Sequence, residues 1–224
     1  MLGCDSAPDV LLPPSSLKLV EEINHRVVNE YAEAIATLSL AASRVEDPAA
    51  QAVLARAAAR LHDHAESHRA LMPPAVDGEA DLGDHVARIC DAFTRATLAE
   101  RDVHLGVRTV EIRLAAERCW RIGLVLVELI RNAARHGLRG SGGLISVEVS
   151  EQSGLLTCEV RDNGRPPSRA IPGRGQGLIR ALVAELGGGV EWIFTEGGAI
   201  ARVQLPVRED ADCLTLTRNS LKSS

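Results

Sequence analysis

Three groups of residues in this 224-residue chain have types and spacings suited to chemistry on a phosphorylated ligand. The first is Glu22-Ile23-Asn24-His25. A carboxylate three residues before an imidazole lies one helical turn away, where it can orient the ring and take its proton; one ring nitrogen then becomes a nucleophile near neutral pH. The second is the run from Leu126 to Gly137, in which Glu128, Asn132 and His136 recur at i, i+4 and i+8 and share one helix face. The Asn132 amide oxygen is a hard ligand suited to Mg²⁺, which keeps its waters and bridges nucleotide phosphates, and Arg135 can meet phosphate oxygens. The third is a pair of glycine-rich turns. Val160-Arg161-Asp162-Asn163-Gly164 ends a strand with a carboxylate that can accept from an adenine amino group, and Gly173-Arg174-Gly175-Gln176-Gly177-Leu178 opens a helix whose backbone amides and dipole favour an anion. In this order the pieces supply the parts of an ATP·Mg²⁺ site.

The elements that must position these groups follow from pattern. An amphipathic helix runs from Ser16 to about Val45, capped by Ser15 or Ser16. A second runs from Ala49 to about Met72, with Pro48 where it begins. The short break at Glu46-Asp47-Pro48 makes them an antiparallel hairpin. At about 100° per residue, Val20, Val27, Tyr31, Leu38 and Val45 form one apolar line flanked by Ile23, Ile35 and Ala41, and His25 lies about 140° away, facing outward. Such a hairpin has too little core to stand alone, so a second copy completes a four-helix bundle and the chain is expected to be a homodimer. Pro73-Pro74 ends the hairpin, and 75–80 is a linker.

The rest alternates helix and strand. Helices are expected over 81–100, 115–136 (closed by Gly137) and 177–186, and a strand over 104–110. Two hairpins are expected, 144–150 with 155–161 around Ser153-Gly154, and 190–195 with 199–207 around Glu196-Gly197-Gly198. The fold class is α+β: a helical hairpin followed by helices packed on one mixed sheet, an α/β sandwich. The boundaries are a leader at 1–15, the hairpin at 16–74, the sandwich domain at 79–207 and a polar, disordered tail at 208–224.

Composition excludes other classes. With 25 Lys+Arg against 30 Asp+Glu the net charge is −5, and Tyr31, Phe93, Trp120, Trp192 and Phe194 are the only aromatics. A basic, aromatic-lined nucleic-acid surface is therefore not expected. No apolar stretch reaches the roughly 20 residues of a membrane span, and the N-terminus lacks the pattern of a secretory signal. Cys4, Cys90, Cys119, Cys158 and Cys213 are scattered and form no CxxC pair, reading as reduced thiols of a cytoplasmic protein. His62, Asp63, His64 and His68 contain an i, i+4 histidine pair of the kind that binds zinc, but near the linker they read as a solvated helix end.

The whole, from about Leu17 to Val207, resembles a bacterial sensor histidine kinase core of the second HisKA subgroup, sister to the HWE kinases, with a GHKL-type ATPase domain. Glu22 to Asn29 resembles the H box, which implies His25 as phosphoacceptor. Glu128 to Gly137 resembles the N box, implying Asn132 as Mg²⁺ ligand and Glu128 as acid/base or water-positioning group. Asp162-Asn163-Gly164 resembles the G1 box, implying Asp162 as adenine reader, and Gly175-Gln176-Gly177 the G2 box near the phosphates. The chain departs from the family where Val28 stands for a common Lys, Pro166 for the second glycine of DxGxG, and Val127 for the N-box His of HWE kinases. Only Pro167 to Gly173 form the ATP lid. Arg26 directly follows the acceptor, so no acid stands at +1 as in the larger HisKA family.

The resemblance implies ATP-dependent autophosphorylation of His25 with Mg²⁺, then transfer to the aspartate of a response-regulator receiver domain. Sixteen residues before Leu17 cannot fold a sensor, so input is expected from a separate sensor protein or from soluble conditions. Pro166 and the short lid favour a second reading, a histidine phosphotransfer protein whose ATP domain has degenerated. A third, a serine kinase acting on an anti-sigma-factor antagonist, has no use for the hairpin.

Overall fold

A proline, a capping aspartate and a three-residue break organise the first 70 residues. The computed structural model describes residues 14–74, 78–139, 141–165 and 174–207. Most of the expected leader, Pro166, the expected lid from Pro167 to Gly173, the tail from Arg208, Cys4 and Cys213 lie outside them. Helix α1 spans Pro14–Arg44 and α2 spans Pro48–Ala70. α1 begins two residues before the expected Ser16, so neither Ser15 nor Ser16 is its cap; proline suits a first helical position because its φ is preset. Between the helices the Asp47 carboxylate accepts from the N–H groups of Ala49 (3.1 Å) and Ala50 (3.3 Å), with Pro48 at the first helical position.

The apolar face of α1 is rotated from the expected line. The side that meets α2 runs through Asn24, Val28, Tyr31 and Ile35, and Val28 is buried. Val27, Leu38 and Val45 are only half-buried, and Ile23 is 50% exposed. One partner helix covers only one side of a stripe this wide.

The remaining chain builds a layer of helices on a sheet. In order it forms β1 (Glu79–Asp81), α3 (Leu82–Phe93), a π turn (Thr94–Leu98), a short 3₁₀ turn (Ala99–Arg101), β2 (Val103–Arg108), β3 (Arg113–Ala115) and α4 (Ala116–Asn132). A second π turn (Ala133–Gly137), β4 (Gly143–Gln152), β5 (Leu155–Asp162), α5 (Arg174–Glu185), β6 (Gly189–Thr195) and β7 (Gly198–Pro206) follow. The five-stranded sheet has the order β2-β4-β5-β7-β6, with β2 parallel to β4 and every other pair antiparallel. This is the expected mixed sheet of an α+β domain. The β4–β5 hairpin turns at Ser153 (φ 53°) and Gly154 (φ 79°), two left-handed residues whose twist matches the strands.

Two expectations fail locally. The helix expected over 81–100 is regular only to Phe93, and 79–80, expected as linker, belong to β1, which pairs with β3 in a separate two-stranded sheet. Three-residue strands carry no periodic signal. Their fixing point is Asp81, whose carboxylate caps α3 through the Asp84 N–H (2.7 Å) and accepts from the Ile112 N–H (3.1 Å).

The core lies between the helices and one face of the sheet, and includes Ile122, Leu126 and Ile130 of α4 against Ile145, Leu156 and Leu205. Cys90, Cys119 and Cys158 are buried in it as free thiols, and burial pushes them up to about 12, 11 and 12. They act as small apolar residues, as expected. One charge is buried here. Arg118, 5% exposed, donates through Nη2 to the carbonyls of Leu186 (3.1 Å) and Pro206 (2.6 Å), joining α4 to the residue after α5 and to the end of β7. Arg118→Met fills much of the same volume but strands both carbonyls; urea denaturation is expected to show a loss of about 2–4 kcal/mol.

Candidate nucleotide and phosphoacceptor site

Where β5 ends, three stretches of backbone approach closely enough that only glycine fits. A Cβ on Gly137, at the end of the second π turn, would overlap the Asp162 carboxylate. One on Gly164 would overlap the Gly137 carbonyl, and one on Gly198, whose φ is 131°, would overlap the Asp162 carbonyl. The end of α4, the turn after β5 and the start of β7 thus meet around Asp162. Its carboxylate accepts from the Gly164 N–H (3.0 Å) and is half-buried. Burial pushes its carboxyl above the ordinary range, and hydrogen bonds from the Gly164 and Ala199 N–H groups pull the other way without cancelling it. Asn163 pins the same turn to β4: its Oδ1 accepts from the Leu144 N–H (2.8 Å) and its own N–H donates to the Leu144 carbonyl (3.1 Å).

The helix leading to this junction carries the second group of residues. Glu128 is largely buried and ion-paired with Arg131 (3.2 Å), and Asn132 is half-buried at the last α-helical position. The Leu138 N–H then reaches back five residues to the Ala133 carbonyl (3.0 Å). This wider turn takes His136 off the regular α-helical phase that would align it with Glu128 and Asn132, and both Arg135 and His136 are exposed. The widening follows from the glycine junction, since the chain must bring Gly137 onto Asp162. Gly175 and Gly177 lie in the first turn of α5, and among the described residues no atom beyond the helix's own backbone and its chain neighbours lies within 4 Å of where a Cβ on Gly177 would sit.

The third group sits at the end of the hairpin nearest the sheet domain. His25 is exposed on α1, as expected, while Glu22 pairs with Arg26 (3.2 Å). Asn24 faces α2, where His68 Nδ1 lies 3.4 Å from its Oδ1. The His68 ring tilts against Tyr31 (centroids 5.7 Å apart), and His64 stacks on the same ring at 6.2 Å. His68 and His64 are therefore half-buried in the helical seam, which corrects the expectation of a solvated end. Asp63 lies 3.5 Å from Arg95 of the first π turn. Among the described residues no group of three or more His, Cys, Asp or Glu could hold a metal ion. Val28, the position of the family's common Lys, is buried in the same seam, where a charge would be costly.

This end of the hairpin rests on the sheet domain. Trp120 Nε1 of α4 donates to the Leu71 carbonyl (2.9 Å), Arg60 pairs with Glu100 (2.7 Å), and Ala65 is buried. The His68 imidazole is held below its ordinary pKa by burial first, then by the Arg131 guanidinium and by His64. The Trp120–Leu71 hydrogen bond thus ties the end of the hairpin that follows His68 to α4. Sequence reasoning placed Glu22, His25, Glu128, Asn132, Arg135, His136, Asp162, Gly164, Gly175 and Gly177 in the site; it gave Gly198, Asn163 and His68 no role there. Glycine immediately before the apolar run of β7 was the available signal for Gly198.

Residues 79–204 match the family described as histidine kinase-like ATPase domain, and residues 22–97 match the family described as histidine kinase. The chain is 28% identical over 199 residues to blue-light-activated histidine kinase 1 of Erythrobacter litoralis, a match covering 86% of this chain and 54% of that protein. It thus spans about half the length of that relative. It resembles the solved histidine kinase domain of the Erythrobacter litoralis EL346 blue-light activated histidine kinase with a TM-score of 0.55 at 20% identity, covering 80% of this chain and 94% of that one. A bacterial phosphotransferase structure aligns with a TM-score of 0.62 at 12% identity, over 88% and 100% of the two chains. At these identities the structural likenesses establish a shared fold.

The glycine junction makes two outcomes measurable. Gly137→Ala forces apart α4 and β5 and is expected to lower stability by about 1–3 kcal/mol in urea denaturation and to abolish any nucleotide-induced thermal shift. Asp162 has a folded-state pKa raised above its unfolded one, so its linkage contribution is full below the unfolded-state pKa and is lost as pH rises through the folded one. Asp162→Asn escapes that loss. Melting temperatures should therefore favour the Asn variant over wild type more at pH 7 than at pH 3.5.

Proposed function

The chain belongs to the histidine kinase family, with a histidine kinase-like ATPase domain, and on that premise we propose that it phosphorylates its own His25 from ATP and passes the phosphoryl group to a receiver-domain aspartate. The observation that carries this reading is the seating of the hairpin end that holds His68 and Leu71 on α4, through the hydrogen bond from Trp120 to the Leu71 carbonyl.

The chemistry of the donors suits ATP. The Asp162 carboxylate, held by the Gly164 N–H, is suited to accept from an adenine amino group in a chain with few aromatics to stack on the ring. The first turn of α5, with Gly177 open to solvent, offers backbone amides to the phosphates. Mg²⁺, where bound, neutralises the triphosphate, and the half-buried Asn132 amide is the residue suited to hold it. Glu128 sits one turn before Asn132, beside Arg131, and is suited to act as acid/base or to position water. Glu22 is one turn from His25 and must leave Arg26 to take the imidazole proton. Arg135 and His136, both exposed, remain available to phosphate oxygens.

The half-exposed apolar face of α1, with Ile23 and Leu40 outward, supports a homodimer in which a second hairpin completes the bundle. Among the described residues no helix is long and apolar enough to cross a membrane, and the reading includes a cytoplasmic setting. The expected domain limits, 16–74 and 79–207, form part of the same proposal.

Incubation with γ-labelled ATP and Mg²⁺ tests the reading. Wild type should take label that resists base and is lost in acid. His25→Ala should take none, and Asn132→Ala should fall about 100-fold or more. If wild type stays unlabelled and gives no thermal shift with Mg·ATP, while a phosphorylated receiver still labels His25, the phosphotransfer reading replaces this one.

A further inference from the structure

The side of α1 that packs on α2 contains one polar residue next to the acceptor, and it has a specific partner. Asn24 immediately precedes His25 and is half-buried, whereas His25 points outward. Its Oδ1 faces His68 Nδ1 at 3.4 Å, across a sequence separation of 44 residues. With the oxygen facing the ring, His68 Nδ1–H is the donor. His68 is in turn held: its ring lies against Tyr31, one helical turn beyond Val28, and α4 presents Arg131 toward it. A packed polar pair of this kind fixes both the rotation and the axial position of the helix turn that carries it. An apolar contact at the same place would tolerate slippage.

We propose that His68 is a positioning residue for phosphoryl transfer, holding the Asn24 turn of α1 so that the His25 ring meets the nucleotide from a fixed direction. The proposal rests on the autophosphorylation reading above. His68 touches neither nucleotide nor the reacting nitrogen; it acts through Asn24. In-line attack on a phosphorus atom needs the nucleophile aligned with the leaving oxygen, and small misplacement of an aligned nucleophile costs rate more than it costs substrate binding. The role therefore predicts an effect on turnover with ATP binding left intact.

The residues facing His68 are Asn24 and Tyr31 from α1, His64 from its own helix and Arg131 from α4. Arg131 and His64 both disfavour a charged imidazole, so the neutral ring is the form that holds Asn24.

The test uses the full chain and initial rates of labelling from γ-labelled ATP, with KM for ATP measured alongside. His68→Ala and Asn24→Ala are each expected to lower the maximal rate roughly fivefold to tenfold with KM unchanged, and the double variant to lose no more than either single one. His68→Asn, whose amide nitrogen occupies the place of Nδ1, is expected to recover most of the rate. A thermal melt of each variant separates misfolding from misalignment: Asn24→Ala leaves the His68–Tyr31 ring contact in place and reports even where the His68 variants melt early. Wild-type rates in Asn24→Ala, His68→Asn and His68→Ala, additive losses in the double variant, or a loss expressed as a raised KM overturn the positioning role alone. An unlabelled wild type overturns it together with the autophosphorylation reading.

Discussion

Backbone contact around Asp162 is the constraint on which the rest of the sheet domain depends. Gly137, Gly164 and Gly198 come from three separate elements, and each has an atom of the Asp162 junction where a Cβ would be. At Gly164 and Gly198 the approach is backbone to backbone, so no side-chain repacking can relieve a substitution there; at Gly137 the Asp162 carboxylate itself would have to move. The π turn at Ala133–Gly137, the hydrogen bonds of Asn163 to β4 and the left-handed start of β7 all follow from closing that junction. The same closure half-buries the Asp162 carboxylate, which raises its pKa and presents a fixed acceptor. Structure and proposed adenine recognition thus share one cause.

A second layer of organisation is the seat of the helical hairpin on that domain. Trp120 reaches the Leu71 carbonyl, and the surface ion pairs Arg60–Glu100 and Arg95–Asp63 add to it. Exposed pairs of this kind contribute little each. The buried Ala65 and the indole hydrogen bond are the stronger terms, and they leave the hairpin's acceptor end beside α4 without covering His25.

Much of the fold was legible in the sequence because the signals were long or chemically sharp. The period-3.6 runs of α1 and α2 placed those helices to within about two residues, and that of α4 placed its start, while the expected end at His136 falls inside the second π turn. Ser153-Gly154 marked its hairpin because a two-residue turn matched to strand twist needs left-handed residues. Asp47-Pro48 marked the helix break because carboxylate capping and proline's φ act locally. What escaped was short or non-local. β1 and β3 have three residues each and exist by pairing with each other across an interval of over 30 residues. His68 looked solvated because its partners, Asn24 and Tyr31, are distant in sequence.

The sequence alone determined the residue types at each position of the site, and so its chemistry: an exposed imidazole, an amide on a helix, a carboxylate at a strand end and amides at a helix start. These depend on covalent identity and on spacing within single elements. Tertiary structure alone decided which side of α1 is buried, that Glu22 pairs with Arg26, that His136 leaves the Glu128–Asn132 phase, and that Asn24 meets His68 beside Arg131. Each of these is set by which surfaces come together once the chain closes around Asp162, and no local spacing encodes that.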